Sequence, residues 1–389
     1  MGVNGNAGTR IIINKENSAV NEDVHWDKSY KLNIGLDFNT LHNRLGFTFD
    51  FYREANREML MPFSASLAGT IGTQSASMNF GKMNMWGYEF GFKWSDKIGK
   101  DFKYHVSLNT GYNDNEVLLM DWTNTNIYRS IQYGDRTDQG TWGMQCLGMF
   151  RSFQEIEEYF DKYNITSYMG MTKDKVRPGM LIYKDIRGAY DDETGTYAGP
   201  DGIVDNNNDQ VQLSNRSNPY GFTINFGCEW KQLSLQGQFS ANWGGYTCIP
   251  TDALKPGLGL EFTNMPSFWN VDNMFSYQDV TDDAGNILVK QNLEAKYPNL
   301  AWSSTNAVPS TFWRVSSASV ELSRITLAYS LPKKWIDPLG ISSVRLNVTG
   351  MNLLTFYNPY PDHFMSSMSG DFGKYPNLRK ITLGVNVSF

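Results

Sequence analysis

Apolar and polar residues alternate strictly along many short segments of this chain, and this alternation constrains the fold more than any other feature. In one segment, Trp86, Tyr88 and Phe90 alternate with Gly87 and Glu89. A period of two residues places the two sets on opposite faces of a β-strand. Nine such segments are predicted to be strands, at residues 29–38, 43–52, 84–94, 103–112, 220–229, 233–242, 322–331, 342–350 and 379–389.

The connections between these segments are alternately short and long. Their lengths are 4, 31, 8, 107, 3, 79, 10 and 28 residues. Outer-membrane barrels have short periplasmic turns and long outer loops, and about ten tilted residues cross a bilayer. We therefore predict an all-β fold, an antiparallel transmembrane β-barrel segment with long extracellular loops. The predicted outer regions are residues 1–28 (a loop or partial strand), 53–83, 113–219, 243–321 and 351–378.

The alternation also predicts which side chains face lipid. One set of apolar side chains should do so: Phe47, Phe49, Phe90, Phe92, Leu327, Leu346 and Val385. A polar set should face the lumen, because Lys or Arg facing lipid at mid-bilayer costs about 2–4 kcal/mol: Lys93, Arg324, Arg345 and Asn386. Aromatic residues at strand ends are expected in the interfacial girdles: Tyr30, Phe38, Trp86, Trp94, Trp230, Tyr329 and Phe389.

Nine is an odd number of strands, whereas bacterial single-chain barrels have even numbers. Unpaired strand edges at 29–38 and 379–389 are not tolerated in lipid. We therefore expect the chain to be about nine to ten strands from the C-terminal part of a larger barrel. The alternating final segment, which ends in Phe389, resembles the signal that barrel-assembly machinery reads.

Composition excludes several classes of protein. The longest apolar runs, residues 117–120 and 180–183, are far shorter than the ~20 residues of a membrane-spanning helix. A net charge of −6 argues against nucleic acid as a partner. The 3 cysteines are too few for a disulfide framework. The 4 histidines are scattered, and no G-x-S-x-G, H-E-x-x-H or C-x-x-C motif occurs, so we do not expect an enzyme.

An ordered set of motifs resembles one known family. The motifs are HWDKS with NIGLDF in residues 25–38, NFGKMNMWGYE in 79–89, RPG with YKDI in 177–186, ELSRITLAYSLP in 321–332, and MNLLT in 351–355. From residue 24 onward the chain resembles the C-terminal half of the SusC/RagA-type TonB-dependent outer-membrane transporters. Each motif alone is weak, but together they cover most of the chain in the family's order.

This resemblance implies a barrel of about 22 strands, an N-terminal plug, a TonB box, and a SusD/RagB-type surface lipoprotein that caps the barrel. It implies an importer of glycans or oligopeptides in the outer membrane of a Gram-negative bacterium. We expect the plug and the TonB box to be absent from this chain. A second hypothesis is open, a soluble or surface all-β protein that binds or degrades polysaccharides. A glycosidase needs only two facing carboxylates, and the chain has 40 acidic residues.

Two sets of loop residues are candidate sites. Five loop tryptophans could stack on a ligand, although most should form the small cores of long loops: Trp122, Trp142, Trp269, Trp302 and Trp313. An acidic tract resembles the family's D-x-N-G-D-G-x-I-D motif, interrupted by an insertion at residues 189–200. The members of this tract are Asp185, Asp201, Asp205, Asn207 and Asp209. Oxygen ligands around glycine suit Ca²⁺, but Arg187 and the insertion favour a solvated acidic turn without a cofactor.

A capping box at residues 152–155 predicts a short helix in the 113–219 loop. Its buried face should comprise Phe153, Ile156, Tyr159 and Phe160.

Overall fold

The computed structural model describes residues 20–62, 76–121, 126–214, 220–255, 266–365 and 377–389, and the short strand pair Gly2–Val3 and Arg10–Ile11. The chain divides into two compact units. One comprises residues 1–34, 51–87 and 113–137, and the other comprises residues 35–50, 88–112 and 138–389. No helix in the described residues is long and apolar enough to cross a membrane.

Nine strands form one sheet in which every strand pairs with its neighbours in the sequence. They are β1 Lys28–Thr40, β2 Leu45–Pro62, β3 Ser77–Ile98, β4 Phe102–Leu119, β5 Tyr220–Trp230, β6 Leu233–Trp243, β7 Ser319–Ser330, β8 Ser343–Tyr357 and β9 Lys380–Ser388. The order runs from β1 to β9 without a crossover, and the pairings from β4 to β9 are antiparallel. The predicted fold class is confirmed.

Several strands are longer than predicted, so parts of the predicted loops 53–83, 113–219 and 351–378 are strand. Among these ends, that of β2 was missed because its extension begins with a segment that lacks an apolar face. In residues 53–58 (REANRE), for example, the period-2 signal disappears. Polar hydrogen bonds connect these ends instead: the Arg57 guanidinium donates to Asn84 Oδ1 (2.9 Å), and the Asn84 amide donates to Glu116 Oε1 (2.7 Å).

The strand register separates an apolar face from a polar face of the sheet. Leu346 pairs with Val385, while Arg345 pairs with Asn386 on the opposite face. Arg345 Nη2 also donates to Ser234 Oγ on β6, at 2.8 Å. Leu346 and Val385 are exposed. The predicted separation of the two faces is therefore confirmed for these strands.

Four aromatic side chains form a row across the apolar face, from β3 to β6. The ring centroids of Tyr88 and Tyr112 lie 5.5 Å apart, those of Tyr112 and Tyr220 5.5 Å, and those of Tyr220 and Trp243 5.9 Å. The prediction chose Trp86 on β3 because it placed the strand end there. Since β3 continues to Ser77, Trp86 is an internal residue, and Tyr88 belongs to the row.

The long connections fold together around a separate hydrophobic core. We call the described residues of 142–214, 246–316 and 360–365 the loop domain, because they supply this core. Its largest fully buried side chains are Trp313, Tyr168, Tyr183, Phe150, Phe268, Phe275, Met144, Met180, Leu181, Leu213 and Leu254. Hydrogen bonds join the first two segments, from the Cys146 amide to Thr311 Oγ1 (2.9 Å) and from the Tyr183 hydroxyl to the Thr305 carbonyl (2.9 Å).

The loop domain contains the predicted helix, α1 Phe153–Tyr163. Ser152 caps it by accepting a hydrogen bond from the Glu155 amide at 3.2 Å, as the capping box predicts. Ile156, Tyr159 and Phe160 are buried as predicted, but Phe153 is exposed and packs edge-on against Tyr277.

Short elements complete the loops. The short helices are Ile127–Arg129, Lys173–Lys175, Thr251–Leu254, Leu300–Trp302, Ser303–Asn306, Lys333–Ile336, Asp337–Leu339 and Pro361–His363. The short strands are Trp142–Met144, Cys146–Met149, Ser167–Tyr168, Leu181–Tyr183, Tyr190–Asp191, Thr196–Tyr197, Ile203–Val204, Gln210–Gln212, Tyr246–Cys248, Val280–Thr281, Ile287–Val289 and Arg314–Ser316.

Candidate functional site

A cavity of about 940 Å³ lies over the polar face of the sheet, within the larger unit. Its volume is in the range of small-molecule sites, roughly 300–1,000 Å³. Strands β2 to β7 supply one part of its lining: Thr48, Asp50, Glu89, Gly91, Asn109, Gly111, Gly221, Thr223, Ser240, Asn242, Ser319, Glu321 and Ser323. The connections supply another part: Asp138, Gly140, Ser214, Tyr246, Thr247, Ser317, Pro359 and Tyr360.

The strand register arranges the sheet part of the lining in rows. In one row, Asn109 pairs with Thr223, Thr223 with Ser240, and Ser240 with Glu321. In the next row, Gly111 pairs with Gly221, and Gly221 pairs with Asn242. Because the two paired glycines have no side chains, the floor between β4 and β5 is bare in this second row.

The described lining residues include no Lys, Arg or His. Four carboxylates line the cavity: Asp50, Glu89, Asp138 and Glu321. Glu321 is 3% exposed, and its Oε1 atom has no hydrogen-bond partner among the described residues. Elsewhere on the polar face the hydroxyls bond one another: Ser323 Oγ donates to Ser240 Oγ at 2.9 Å. The site can therefore accept hydrogen bonds from a ligand, and its acidity favours a donor-rich one.

The sequence did not single out these carboxylates. Asp50, Glu89 and Glu321 occupy polar positions of strands, which from sequence alone means only that the side chain faces away from the apolar face; Asp138 lies in a connection. One sequence signal could have pointed to Glu89 and Glu321. Each is an acidic residue whose adjacent residues in the strand are apolar and face the opposite side of the sheet. That signal is weak because 40 acidic residues are spread along the chain.

The tryptophan candidates lie elsewhere. Trp269 and Trp313 are 5% and 1% exposed in the core of the loop domain, so in this structure their indoles have no free face for a ligand. Trp142 and Trp302 are half-buried, and Trp302 packs against that core. Trp122 lies outside the described residues. None of the described tryptophans lines the cavity.

The acidic tract is folded rather than solvated at its two ends, which corrects one part of the sequence interpretation. Asp209 is fully buried and accepts hydrogen bonds from the amides of Ile186 (2.6 Å), Arg187 (3.1 Å) and Asp205 (2.8 Å). Asp185 is buried and accepts from the Gly202 amide at 2.7 Å. Burial raises the pKa of Asp209 above its ordinary value despite these donors.

The rest of the tract makes turns. Asp201 accepts from the Ile203 amide at 2.9 Å, and Asp205 accepts from the Asn207 amide at 2.7 Å. The Arg187 guanidinium donates to the carbonyls of Asn208 (2.6 Å) and Gln210 (2.7 Å), so a fixed cation already occupies part of this loop. Among the described residues, no group of three or more His, Cys, Asp or Glu side chains could hold a metal ion.

Comparisons with known proteins agree with the motifs. No family model matches the chain. The chain is 23% identical to TonB-dependent receptor P3 of Formosa agariphila over 388 residues, which cover 95% of the chain and 35% of that protein. It is 28% identical to TonB-dependent receptor SusC of Bacteroides thetaiotaomicron over 122 residues, which cover 31% of the chain and 12% of that protein.

Solved structures agree with the fold. The RagAB peptide transporter matches with a TM-score of 0.61 and 19% identity, over 95% of this chain and 36% of that one. The same importer in an open-open state matches with a TM-score of 0.62 and 18% identity, over 96% and 36% of the two chains. The chain thus spans about a third of the length of these relatives. Its resemblance to the C-terminal part of the SusC/RagA-type TonB-dependent receptors is therefore confirmed.

Proposed function

We propose that this chain forms part of the wall of a TonB-dependent importer in the outer membrane of a Gram-negative bacterium. The importer takes up glycans or oligopeptides and works with a SusD/RagB-type surface lipoprotein. The proposal assigns contact with the TonB complex to the part of such an importer that corresponds to the two thirds of the relatives not matched by this chain. The proposal gives the chain no catalytic step, and its relatives are named as receptors and transporters.

The two faces of the sheet are the observation that carries this proposal. On β9 the side chains of Ile381, Leu383 and Val385 are 74%, 77% and 65% exposed. A continuous apolar surface of this kind is costly in water and favourable against lipid. The opposite face is polar and lines the cavity, as the wall of a hydrophilic import path requires.

The structure of the loop domain favours the proposal of a lipoprotein partner. Its core immobilises connections that would otherwise be long and irregular, and it leaves large apolar and aromatic side chains outside, among them Leu147, Tyr163 and Tyr277 at 47%, 45% and 40% exposure. A pre-ordered surface loses less conformational entropy when a partner docks. Phe389, which is 89% exposed after the end of β9, stays the predicted signal for barrel assembly.

The test uses the protein in outer membranes and a pair of substitutions on β5. Gly221→Leu places a side chain in the cavity, because a Cβ atom there meets nothing closer than the Ala241 carbonyl oxygen at 3.4 Å. Asn225→Leu is the control, on the same face of the same strand but outside the lining. Uptake of labelled oligosaccharides and oligopeptides is measured along with lipoprotein co-purification.

We expect a heat-modifiable band in the outer-membrane fraction, a co-purified lipoprotein, and uptake that Gly221→Leu lowers more than the control does. Recovery of the protein in the soluble fraction, without heat-modifiable migration, contradicts the proposal and favours the soluble polysaccharide-binding or polysaccharide-degrading alternative. Equal uptake by Gly221→Leu and wild type, at equal protein levels, would remove the cavity from the import path.

A further inference from the structure

The cavity is lined by a buried carboxylate, one of whose oxygens has no hydrogen-bond partner among the described residues. Glu321, on β7, is 3% exposed and lines the cavity, and its Oε1 atom has no hydrogen-bond donor among the described residues. A buried carboxylate without a donor is strongly destabilising unless a partner compensates its desolvation. Ser240, which pairs with Glu321, and Ser323, two residues further along β7, bond each other instead.

Two other lining carboxylates, Asp50 on β2 and Glu89 on β3, lie on strands several positions away from Glu321 in the sheet. Glu89 is on β3, and its Cγ atom would lie 3.5 Å from a Cβ atom at Gly111. Four strand spacings separate β3 from β7 in the sheet order. At about 4.8 Å per spacing, this is up to roughly 19 Å along the sheet. Glu89 and Glu321 therefore lie toward opposite sides of a floor that has no side chains at Gly111 and Gly221.

This spacing argues against a metal ion. A divalent cation needs several oxygen ligands converging on one point, and the described residues contain no group of three or more side chains that could do so. Charges distributed along a floor instead suit an elongated organic ligand. The described lining residues include no Lys, Arg or His.

From this geometry we infer that the cavity binds a ligand bearing an ammonium group, which donates its hydrogen bonds to Glu321. The inference rests on the proposed function and narrows its substrate class to cationic oligomers, either lysine-containing peptides or amino-sugar chains. Both ligand classes carry an ammonium group, which has three hydrogen-bond donors and a full positive charge. A charge-assisted bond to a buried carboxylate is stronger than one from a neutral hydroxyl.

The test compares cationic probes with neutral probes of the same skeleton. The peptide pair is trilysine and Nε-acetylated trilysine, and the sugar pair is the trimer of glucosamine and the trimer of N-acetylglucosamine. Binding is measured by calorimetry on the protein purified from outer membranes in detergent. The variants are Glu321→Gln and Glu89→Gln, with Glu229→Gln as the control, because Glu229 lies on the polar face of β5 outside the lining.

At least one cationic probe should bind more tightly than its neutral partner. Glu321→Gln should weaken that binding by about 10- to 100-fold, Glu89→Gln should weaken it less, and Glu229→Gln should leave it unchanged. Which pair shows the effect identifies the peptide or the amino sugar as the source of the ammonium.

Equal binding within both pairs, or an unchanged affinity in Glu321→Gln, overturns the inference. If Glu321→Gln does not fold, as judged by loss of heat-modifiable migration, Glu89→Gln decides by the same comparison. Failure of the proposed function is distinguishable, because the protein would then be absent from the outer-membrane fraction whatever the cationic probes do.

Discussion

The sheet and the loop domain use the same large apolar residues in opposite ways. On the sheet, Trp230 and Trp243 are 56% and 41% exposed, whereas Trp269 and Trp313 in the loop domain are 5% and 1% exposed. The sheet therefore has its apolar surface outside and depends on its surroundings to cover it. The loop domain has a core of the kind found in proteins that fold in water. On the proposed function, one chain thus contains a region stabilised by lipid and a region stabilised by water.

The largest effect expected from this contrast is the loss of a core tryptophan. Trp313 stacks on Tyr297 (centroids 6.1 Å apart, planes at 2°) and donates to the Asn306 carbonyl at 2.6 Å. Trp313→Ala should destabilise the loop domain by about 3–5 kcal/mol. Limited proteolysis should then cleave the loops much faster.

The matched variant is Trp243→Ala, in the exposed aromatic row. It should leave loop proteolysis near the wild-type rate, and both variants should keep heat-modifiable migration. Equal proteolysis of the two variants would mean that the loop domain has no stability of its own.

The next prediction tests whether the apolar face of the sheet meets lipid. Val348 lies on the apolar face of β8, in register with Leu327 and Leu383, and Asn347 lies on the polar face beside it. Val348→Arg should cost about 2–4 kcal/mol if the apolar face meets lipid, and it should lower the heat-modifiable fraction. Asn347→Arg should be close to neutral, and the opposite ranking would reverse the assignment of the two faces.

A smaller effect concerns thiol chemistry. Burial raises the pKa of Cys146 and of Cys248, each to about 11. At pH 8 only roughly one thiol in a thousand is then ionised, so alkylation by iodoacetamide should be slow and should rise about tenfold per pH unit until that pKa is approached. Mass spectrometry of labelled peptides measures this. Fast labelling of both cysteines at pH 8 would contradict their burial in the folded loops.

The smallest effect is expected from the insertion in the acidic tract. Residues 189–198 form an exposed hairpin whose ends meet, because the Gly188 amide donates to the carbonyls of Ala198 (3.1 Å) and Gly199 (2.9 Å). Deleting residues 189–198 should change the stability of the loop domain by no more than about 0.5 kcal/mol. Faster loop proteolysis, comparable with that of Trp313→Ala, would show that the hairpin is part of the fold.

The sequence predicted the sheet better than the loop domain. Alternation is a local signal, and it sufficed to place Arg345 and Leu346 on opposite faces. It failed where both faces of a strand are polar, as at Arg57 and Glu58 near the end of β2. There the strand is held by partners on neighbouring strands, such as Asn84, which no local pattern encodes.

The site was not predictable for a related reason. The sequence offered loop tryptophans as possible ligand contacts and predicted that most would form the small cores of long loops, and Trp269 and Trp313 lie in such a core. The carboxylate of Glu321 becomes distinctive only through its burial and because its Oε1 atom has no hydrogen-bond donor among the residues that the structure describes. Both properties arise from residues distant in sequence, so the motif around Glu321 indicates a strand and nothing more.

The shared core of the loops also sets an order of events during biogenesis. The Cys146 amide bonds Thr311 across 165 residues, and the Leu181 amide bonds Asn306 across 125 residues. Such distant contacts form late, because a long intervening chain must first be brought together. In this chain that intervening sequence includes the hairpin of β5 and β6, whose own turn is only two residues long. We therefore expect this hairpin to form first. The loop that contains residues 142–214 should remain unfolded until the loop that contains residues 246–316 has been exported. During that time its aromatic side chains should need a chaperone.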